Sequence, residues 1–237
     1  MNTSGHKPDP RNVSAAAAPA ERGDTAFLRK ATDHYPKFVS FLTEKAGVQF
    51  RGRILELGAG SAWFSAELSK LPKVVEVIAT DFGPHAGSAQ SPKVFQKLRA
   101  HAAKITRRPI QAHRLDFPDN HFDFVVCAGV LHDAMNLLQL LREIRRVLKP
   151  GGQLVAVRDP VRPAVGWRPR TSKRPEPSLK IPIYSRADYE DTFDRAGFAL
   201  EVHRVSLAKG LRYYFDKMVN GFTHARYAFI AAKRAKA

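Results

Sequence analysis

Residues 54–65 read Ile54-Leu-Glu56-Leu-Gly58-Ala-Gly60-Ser-Ala62-Trp63-Phe-Ser65, and this stretch decides the fold. An apolar run closes on a carboxylate, Glu56, and two glycines precede a helix-like sequence. Such a strand–turn–helix junction brings bare backbone N–H groups and a helix N-terminus close to a ligand. A dinucleotide fingerprint, G-x-G-x-x-G, needs a small sixth residue so that helix and strand pack closely. Counting from Gly58, that position holds Trp63, and an indole there excludes the dinucleotide reading. A glycine pair alone is also what a tight turn produces, so the flanking elements must decide.

Working outward, strand and helix patterns alternate. Arg53–Leu57 reads as a strand, Ala62–Lys70 as a helix and Val74–Thr80 as a second, mostly β-branched strand. A helix over Pro92–Ala103, a strand around Ile110–Leu115 and a fully buried strand over Phe122–Ala128 follow. Leu137–Leu148 places Leu137, Leu141, Ile144 and Leu148 on one helical face, and Lys149-Pro150-Gly151-Gly152 supplies a stop. Gln153–Arg158 is a fifth strand, and Ser185-Arg-Ala-Asp188 has the form of a capping box for a helix reaching Ala196. Strands over Ala199–Val205 and Arg226–Ala232 complete the reading. Repeated β-α units of this length predict an α/β fold, a parallel sheet with helices on both faces.

Upstream, residues 1–24 lack apolar periodicity and are expected to be a disordered tail, with residues 25–237 as one domain. A helical pattern from Thr25 to Gly47 is expected to break at Pro36, which removes an internal N–H. Pro160–Tyr184, rich in proline and basic residues, reads as a lid or insertion.

The chain has 237 residues, 44% hydrophobic and 26% charged, an ordinary globular composition. Its single cysteine, Cys127, excludes an internal disulfide and fits a reducing compartment. Neither a signal peptide nor an apolar stretch of the roughly 20 residues that span a bilayer is found, so a cytoplasmic location is expected. Thirty-nine Lys+Arg against 22 Asp+Glu give a formal charge of +17, which attracts anions without specifying one.

Glu56-Leu-Gly58-Ala59-Gly60-Ser-Ala62 resembles the signature loop of class I S-adenosylmethionine-dependent methyltransferases, [DE]-x-G-x-G-x-G, with Ala62 for the last glycine. The order of elements from Arg53 to Phe198 is similar to the ubiquinone-biosynthesis type of that family. The resemblance implies a Rossmann-like, doubly wound, seven-stranded sheet, mostly parallel with an antiparallel C-terminal strand. It also implies S-adenosyl-L-methionine as cofactor. Glu56, Gly58, Ala59 and Gly60 would then hold its methionine half. Asp81, about 20 residues past the loop, suits the ribose hydroxyls, and Phe82 the adenine; taken alone, Asp81 also reads as a helix N-cap. Asp116 and Phe117 match the adenine positions, and Ala128 lies at the fourth strand's end, where backbone meets the cofactor's amino group. Asp123 reads as structural.

His132, just past that strand, is the candidate catalytic group: imidazole can accept a proton from a hydroxyl or amine as the methyl moves. Its alternative is to cap the next helix or shape the pocket. Methyl transfer needs little covalent help, because the sulfonium is already a good leaving group and alignment does most of the work. Cys127 lies in an apolar strand with no basic neighbour and reads as a buried structural thiol. Asp133 and Asp159 read as solvated loop residues, and no metal is expected. Arg158, Arg162, Arg168, Arg170, Lys173, Arg174 and Lys180, with Trp167 among them, suit an anionic acceptor. They also suit a nucleic acid, or are a solvated loop. A small-molecule acceptor is the expectation, polynucleotide methylation the second, and a catalytically silent binding protein on this fold the third.

Overall fold

The computed structural model describes residues 35–82, 91–110, 114–162, 184–205 and 227–235. The tail 1–24, the start of the first helical pattern and residues 163–183 of the Pro-rich segment lie outside the described residues.

Seven strands form one sheet: β1 (Gly52–Leu57), β2 (Val74–Phe82), β3 (Ile105–Ile110), β4 (Phe122–Ala128), β5 (Leu148–Val157), β6 (Phe198–Arg204) and β7 (Tyr227–Lys233). Their order is β3-β2-β1-β4-β5-β7-β6. Pairings among β1 to β5 are parallel, and β7 runs antiparallel between β5 and β6. The helices are α1 (35–40), α2 (Trp63–Ser69), α3 (Ser91–Leu98), α4 (Leu137–Val147) and α5 (Arg186–Arg195).

Strand side chains point alternately to opposite faces, so a strand buried on both sides must be apolar throughout. The buried stretches of the central strands obey this, with Glu56 of β1 as the exception. Ile54, Phe124, Val126, Val155 and Val157 pack on one face with α1, α2 and α3. Leu55, Leu57, Val125, Cys127, Leu154 and Ala156 pack on the other with α4 and α5. Leu137, Leu140, Leu141, Ile144 and Val147 form the buried stripe of α4, whose start is capped by the Asn136 side chain accepting from Gln139 N–H at 3.0 Å. The expected capping box of α5 is present, with Ser185 and Asp188 each bonding the other's backbone N–H. The doubly wound sheet with helices on both faces is therefore as the sequence predicts.

Three elements differ from expectation by more than two residues. The third strand is Ile105–Ile110, not Ile110–Leu115, and pairs residue for residue with Val77–Phe82. Its Thr106, Arg107, Arg108 and Pro109 disguise it, but β3 is the sheet's edge, where a proline and exposed charges are tolerated. The third helix stops at Leu98 rather than Ala103, because Arg99 turns left-handed at φ 52°. Arg99 N–H then bonds Gln96 O and Ala100 N–H bonds Phe95 O, a Schellman ending. Finally, β5 begins at Leu148, not Gln153. Phe122 faces Leu148 and Phe124 faces Gln153, so residues 149–152 form an irregularity at the strand's start rather than a loop before it.

Strand order reverses beside β1, whose neighbours are β2 and β4. In open parallel sheets this switch point, beyond the strands' carboxyl ends, is where ligands bind.

Candidate functional site

A cleft of about 580 Å³ opens at that point, and its walls include Gly58 after β1, Asp81 of β2 and Gly129 after β4. Gly58 has φ 63°, and a Cβ there would come within 2.5 Å of Val130 Cγ2. Only a residue without a side chain lets the loop pass Val130 and keep its backbone against the cleft. Gly60 has φ 49° and open space around it, so its need is for conformation alone.

The loop is stitched to β2. Ala59 N–H bonds Thr80 O at 2.8 Å, and Thr80 Oγ1 donates to Glu56 O at 2.7 Å. Gly60 N–H donates to Asp81 Oδ2 at 2.9 Å, while Arg107 Nη2 donates to Gly60 O at 2.8 Å. Asp81 thus holds the loop with one oxygen and fronts the cleft. Ala62 adopts φ 56° and starts α2 without a side-chain cap of its own.

Glu56 supplies that cap from below. Its Oε2 accepts from Ser65 N–H at 2.8 Å and from the Ser65 hydroxyl. The carboxyl is only 1% exposed. Burial raises its pKa to about 7, against the lowering effect of the Ser65 bonds. Trp63, which displaced the dinucleotide reading, is buried and stacks on Tyr35 with ring centroids 3.9 Å apart.

The adenine side is arranged differently from the residues singled out. Asp116 is 88% exposed and pairs with Arg108 at 2.8 Å. Phe117 is buried edge-to-face against Phe122, centroids 5.0 Å apart, with the Arg108 guanidinium over its ring. Their neighbours Arg114 and Leu115 line the cleft instead. Phe82 ends β2 opposite Ile110, and Ala128 ends β4 opposite Val157. Arg146 of α4 fixes this side: it donates to Leu115 O at 2.7 Å and Phe117 O at 2.8 Å, and bonds Glu143 and Asp119. Glu143 in turn accepts from Leu115 N–H at 3.2 Å. Sequence alone offers only the i,i+3 spacing of Glu143 and Arg146 as a signal for this brace.

His132 sits in the turn Leu131–Asp133 after β4, half-buried between two carboxylates. Nδ1 lies 3.0 Å from Asp159 Oδ1, and Nε2 lies 3.3 Å from Asp133 Oδ1. The Asp159 hydrogen bond raises the imidazole pKa, burial works against it, and the charges of Asp159 and Asp133 add to the rise. Asp159, expected to be solvated, is buried instead, because Gly129 N–H bonds Val157 O and this joins the ends of β4 and β5. Asp123 is structural as read: it accepts from Arg53 N–H at 2.9 Å and Lys149 Nζ at 2.8 Å, far from the cleft. Cys127 is buried, and burial pushes its thiol pKa well up. Among the described residues, no group of three or more His, Cys, Asp or Glu is placed to hold a metal ion. No helix of the described residues is long and apolar enough to cross a membrane.

With this geometry in place, the comparison with known proteins is specific. A family described as methyltransferase domain matches residues 55–156, from the middle of β1 to β5. That match spans less than half of the chain. Over 108 residues the chain is 35% identical to a demethylmenaquinone methyltransferase of Deinococcus radiodurans, covering 46% of this chain and 43% of that protein. Over 118 residues it is 31% identical to the ubiquinone/menaquinone biosynthesis C-methyltransferase UbiE of Pseudomonas fluorescens, covering 49% and 45%. The chain thus matches less than half the length of these curated relatives. A SAM-dependent methyltransferase from Aquifex aeolicus shares the fold with a TM-score of 0.59 at 17% identity, over 90% of this chain and 98% of that one. Residues 55–156 therefore resemble methyltransferases of the class I, ubiquinone-biosynthesis type, whose cofactor is S-adenosyl-L-methionine. The residues present fit that cofactor: the loop keeps bare Gly58 backbone at the cleft, and a carboxylate, Asp81, stands beside it.

Proposed function

We propose that this chain transfers a methyl group from S-adenosyl-L-methionine to a nucleophilic oxygen, nitrogen or carbon of a small acceptor. One observation carries the reading: the glycine turn after β1, Asp81 of β2 and Gly129 after β4 meet in one cleft at the switch point of the sheet. Gly58, Ala59, Gly60 and the carboxyl of Glu56 beneath them form the methionine side. Asp81 is assigned to the ribose hydroxyls, and Phe82 with the cleft-lining Arg114 and Leu115, in place of Asp116 and Phe117, to the adenine side. Ala128 and Gly129 offer backbone to the amino group. When bound, the sulfonium supplies an electrophilic methyl; the protein's part is to align the acceptor with it and exclude water.

The two curated relatives are named for methylating demethylmenaquinone and for C-methylation, which makes carbon the first acceptor atom to assay. Arg114 on the cleft wall supports an anionic acceptor. A polynucleotide is the weaker reading: of the basic cluster behind it, Arg158 and Arg162 are among the described residues, and Arg162 lies 3.8 Å from Asp188. The lone buried thiol supports a reducing, cytoplasmic setting.

Calorimetry with S-adenosylhomocysteine tests the reading. Micromolar binding is expected, weakened at least tenfold in Asp81→Ala, about 1.4 kcal/mol or more. No binding to the wild-type chain overturns it and leaves a silent member of the fold.

A further inference from the structure

Among the described residues, Asp159 is a buried carboxylate beside the cleft that the cofactor reading leaves without a task. Its Oδ1 accepts twice from one residue, from His132 N–H at 3.1 Å and from Nδ1 at 3.0 Å. Its Oδ2 is buried with no hydrogen-bond partner among the described residues. A carboxylate accepts only, so Nδ1 must carry a proton in this pair. We propose that Asp159 is a positioning residue for methyl transfer: it fixes a proton on Nδ1 of His132 and turns Nε2 toward the cleft, to take the acceptor's proton. This rests on the methyl-transfer reading above.

Three observations support it. First, the hold is two-point. Bonding both the backbone and the ring of His132 fixes the turn Leu131–Asp133 and the ring within it. Second, the ring stands behind two residues of the cleft wall, Gly129 and Asp133, without lining the cleft itself. Its Cε1 lies 3.8 Å from where a Cβ on cleft-lining Gly129 would stand, and Nε2 faces Asp133, which also lines the cleft. Asp133 is 57% exposed, so it can swing aside when an acceptor enters. Third, the charge balance needs a cation at the ring. The charged groups that act on the ring are Asp159 and Asp133, both carboxylates, and the buried Tyr189 and Cys127 beside Asp159 add no cation. A wholly buried carboxylate with an orphan oxygen is costly until positive charge forms beside it, and His132 is where that charge forms.

The step balances. The acceptor's lone pair bonds the methyl carbon, the C–S bond breaks with its electron pair going to sulfur, and the acceptor's proton moves to Nε2. The resulting imidazolium lies between Asp159 and Asp133.

The test is nitrogen NMR of the full chain labelled with 15N-histidine, with the His132 signals assigned from His132→Gln. In the wild type the neutral ring is expected as the Nδ1–H tautomer. Asp159→Asn is expected to lower the His132 midpoint by about one pH unit or more. With S-adenosylmethionine bound, the midpoint is expected about half a unit lower than with S-adenosylhomocysteine, because a sulfonium held in the cleft would bring positive charge near the ring. A purely structural pair would not distinguish the two ligands. An Nε2–H neutral tautomer overturns the proposal, and so do equal midpoints with the two ligands. If Asp159→Asn does not fold, the wild-type tautomer and the ligand comparison still decide. Failure of either ligand to bind instead removes the methyl-transfer reading, whatever the tautomer.

Discussion

At the scale of single residues, the two loop glycines make different demands, and the difference is measurable. Gly58→Ala must place a Cβ within 2.5 Å of Val130 at φ 63°, whereas Gly60→Ala meets nothing within 4 Å at φ 49°. Left-handed backbone costs about 1–2 kcal/mol for a residue with a side chain, and overpacking a further 1–3. Urea denaturation is expected to show a loss of about 2–4 kcal/mol for Gly58→Ala and about 1–2 for Gly60→Ala. Adding Val130→Ala to Gly58→Ala should recover the packing part only; equal losses for the two glycine variants would remove Val130 from the account. Glu56 makes a second prediction. Its folded pKa, about 7, lies above its ordinary value of 4.5. The stability this group contributes is therefore complete below pH 4.5 and is lost as pH rises through 7. The loss is roughly 3 kcal/mol. Urea midpoints taken from pH 4.5 to 8 should fall in the wild type relative to Glu56→Gln, and parallel profiles would refute the assignment.

At the scale of elements, the helix that braces the cleft is held by its apolar stripe more than by its cap. Losing the Asn136 side chain costs about 1 kcal/mol, whereas Ile144→Ala, fully buried between α4 and the sheet, costs about 2–5 kcal/mol. Denaturant midpoints of the two variants should rank in that order, and a larger loss from the cap would reverse it. The same contrast explains what the sequence made legible. β4 was readable to the residue, because its buried stretch, Phe124–Cys127, is apolar at every position. β3 was displaced by several residues, because at the edge of the sheet burial no longer selects the side chains, and Arg107, Arg108 and Pro109 look like loop. The error carried into the site. Asp116 follows β3 at a distance of six residues instead of one and stands in solvent against Arg108, while Arg114 and Leu115 reach the cleft. The Gly58 turn, by contrast, was legible because its chemistry is local. Asp159 was not: its burial comes from the pairing of β4 with β5, which brings it beside His132 across 27 residues of chain.

At the scale of the whole molecule, the cleft joins elements that the sheet alone couples only through backbone pairing. A ligand there touches the turns after β1 and β4 and the end of β2, the three strands around the switch point. Binding to the folded state alone adds RT ln(1 + [L]/Kd), about 2.7 kcal/mol at a hundredfold excess over Kd. For a chain of this size, 1 kcal/mol moves the thermal midpoint by roughly 2–4 °C. S-adenosylhomocysteine at that excess should therefore raise the midpoint by about 5–10 °C, and Asp81→Ala should need at least ten times more ligand for the same rise. NAD shares the adenosine half, yet it should give no comparable shift at the same concentration. Trp63 fills the position where a dinucleotide turn needs a small residue, and it is locked there by Tyr35 and Phe64 on its two sides. An equal rise with NAD would mean that adenosine recognition alone drives binding, and that the indole does not discriminate between the two cofactors.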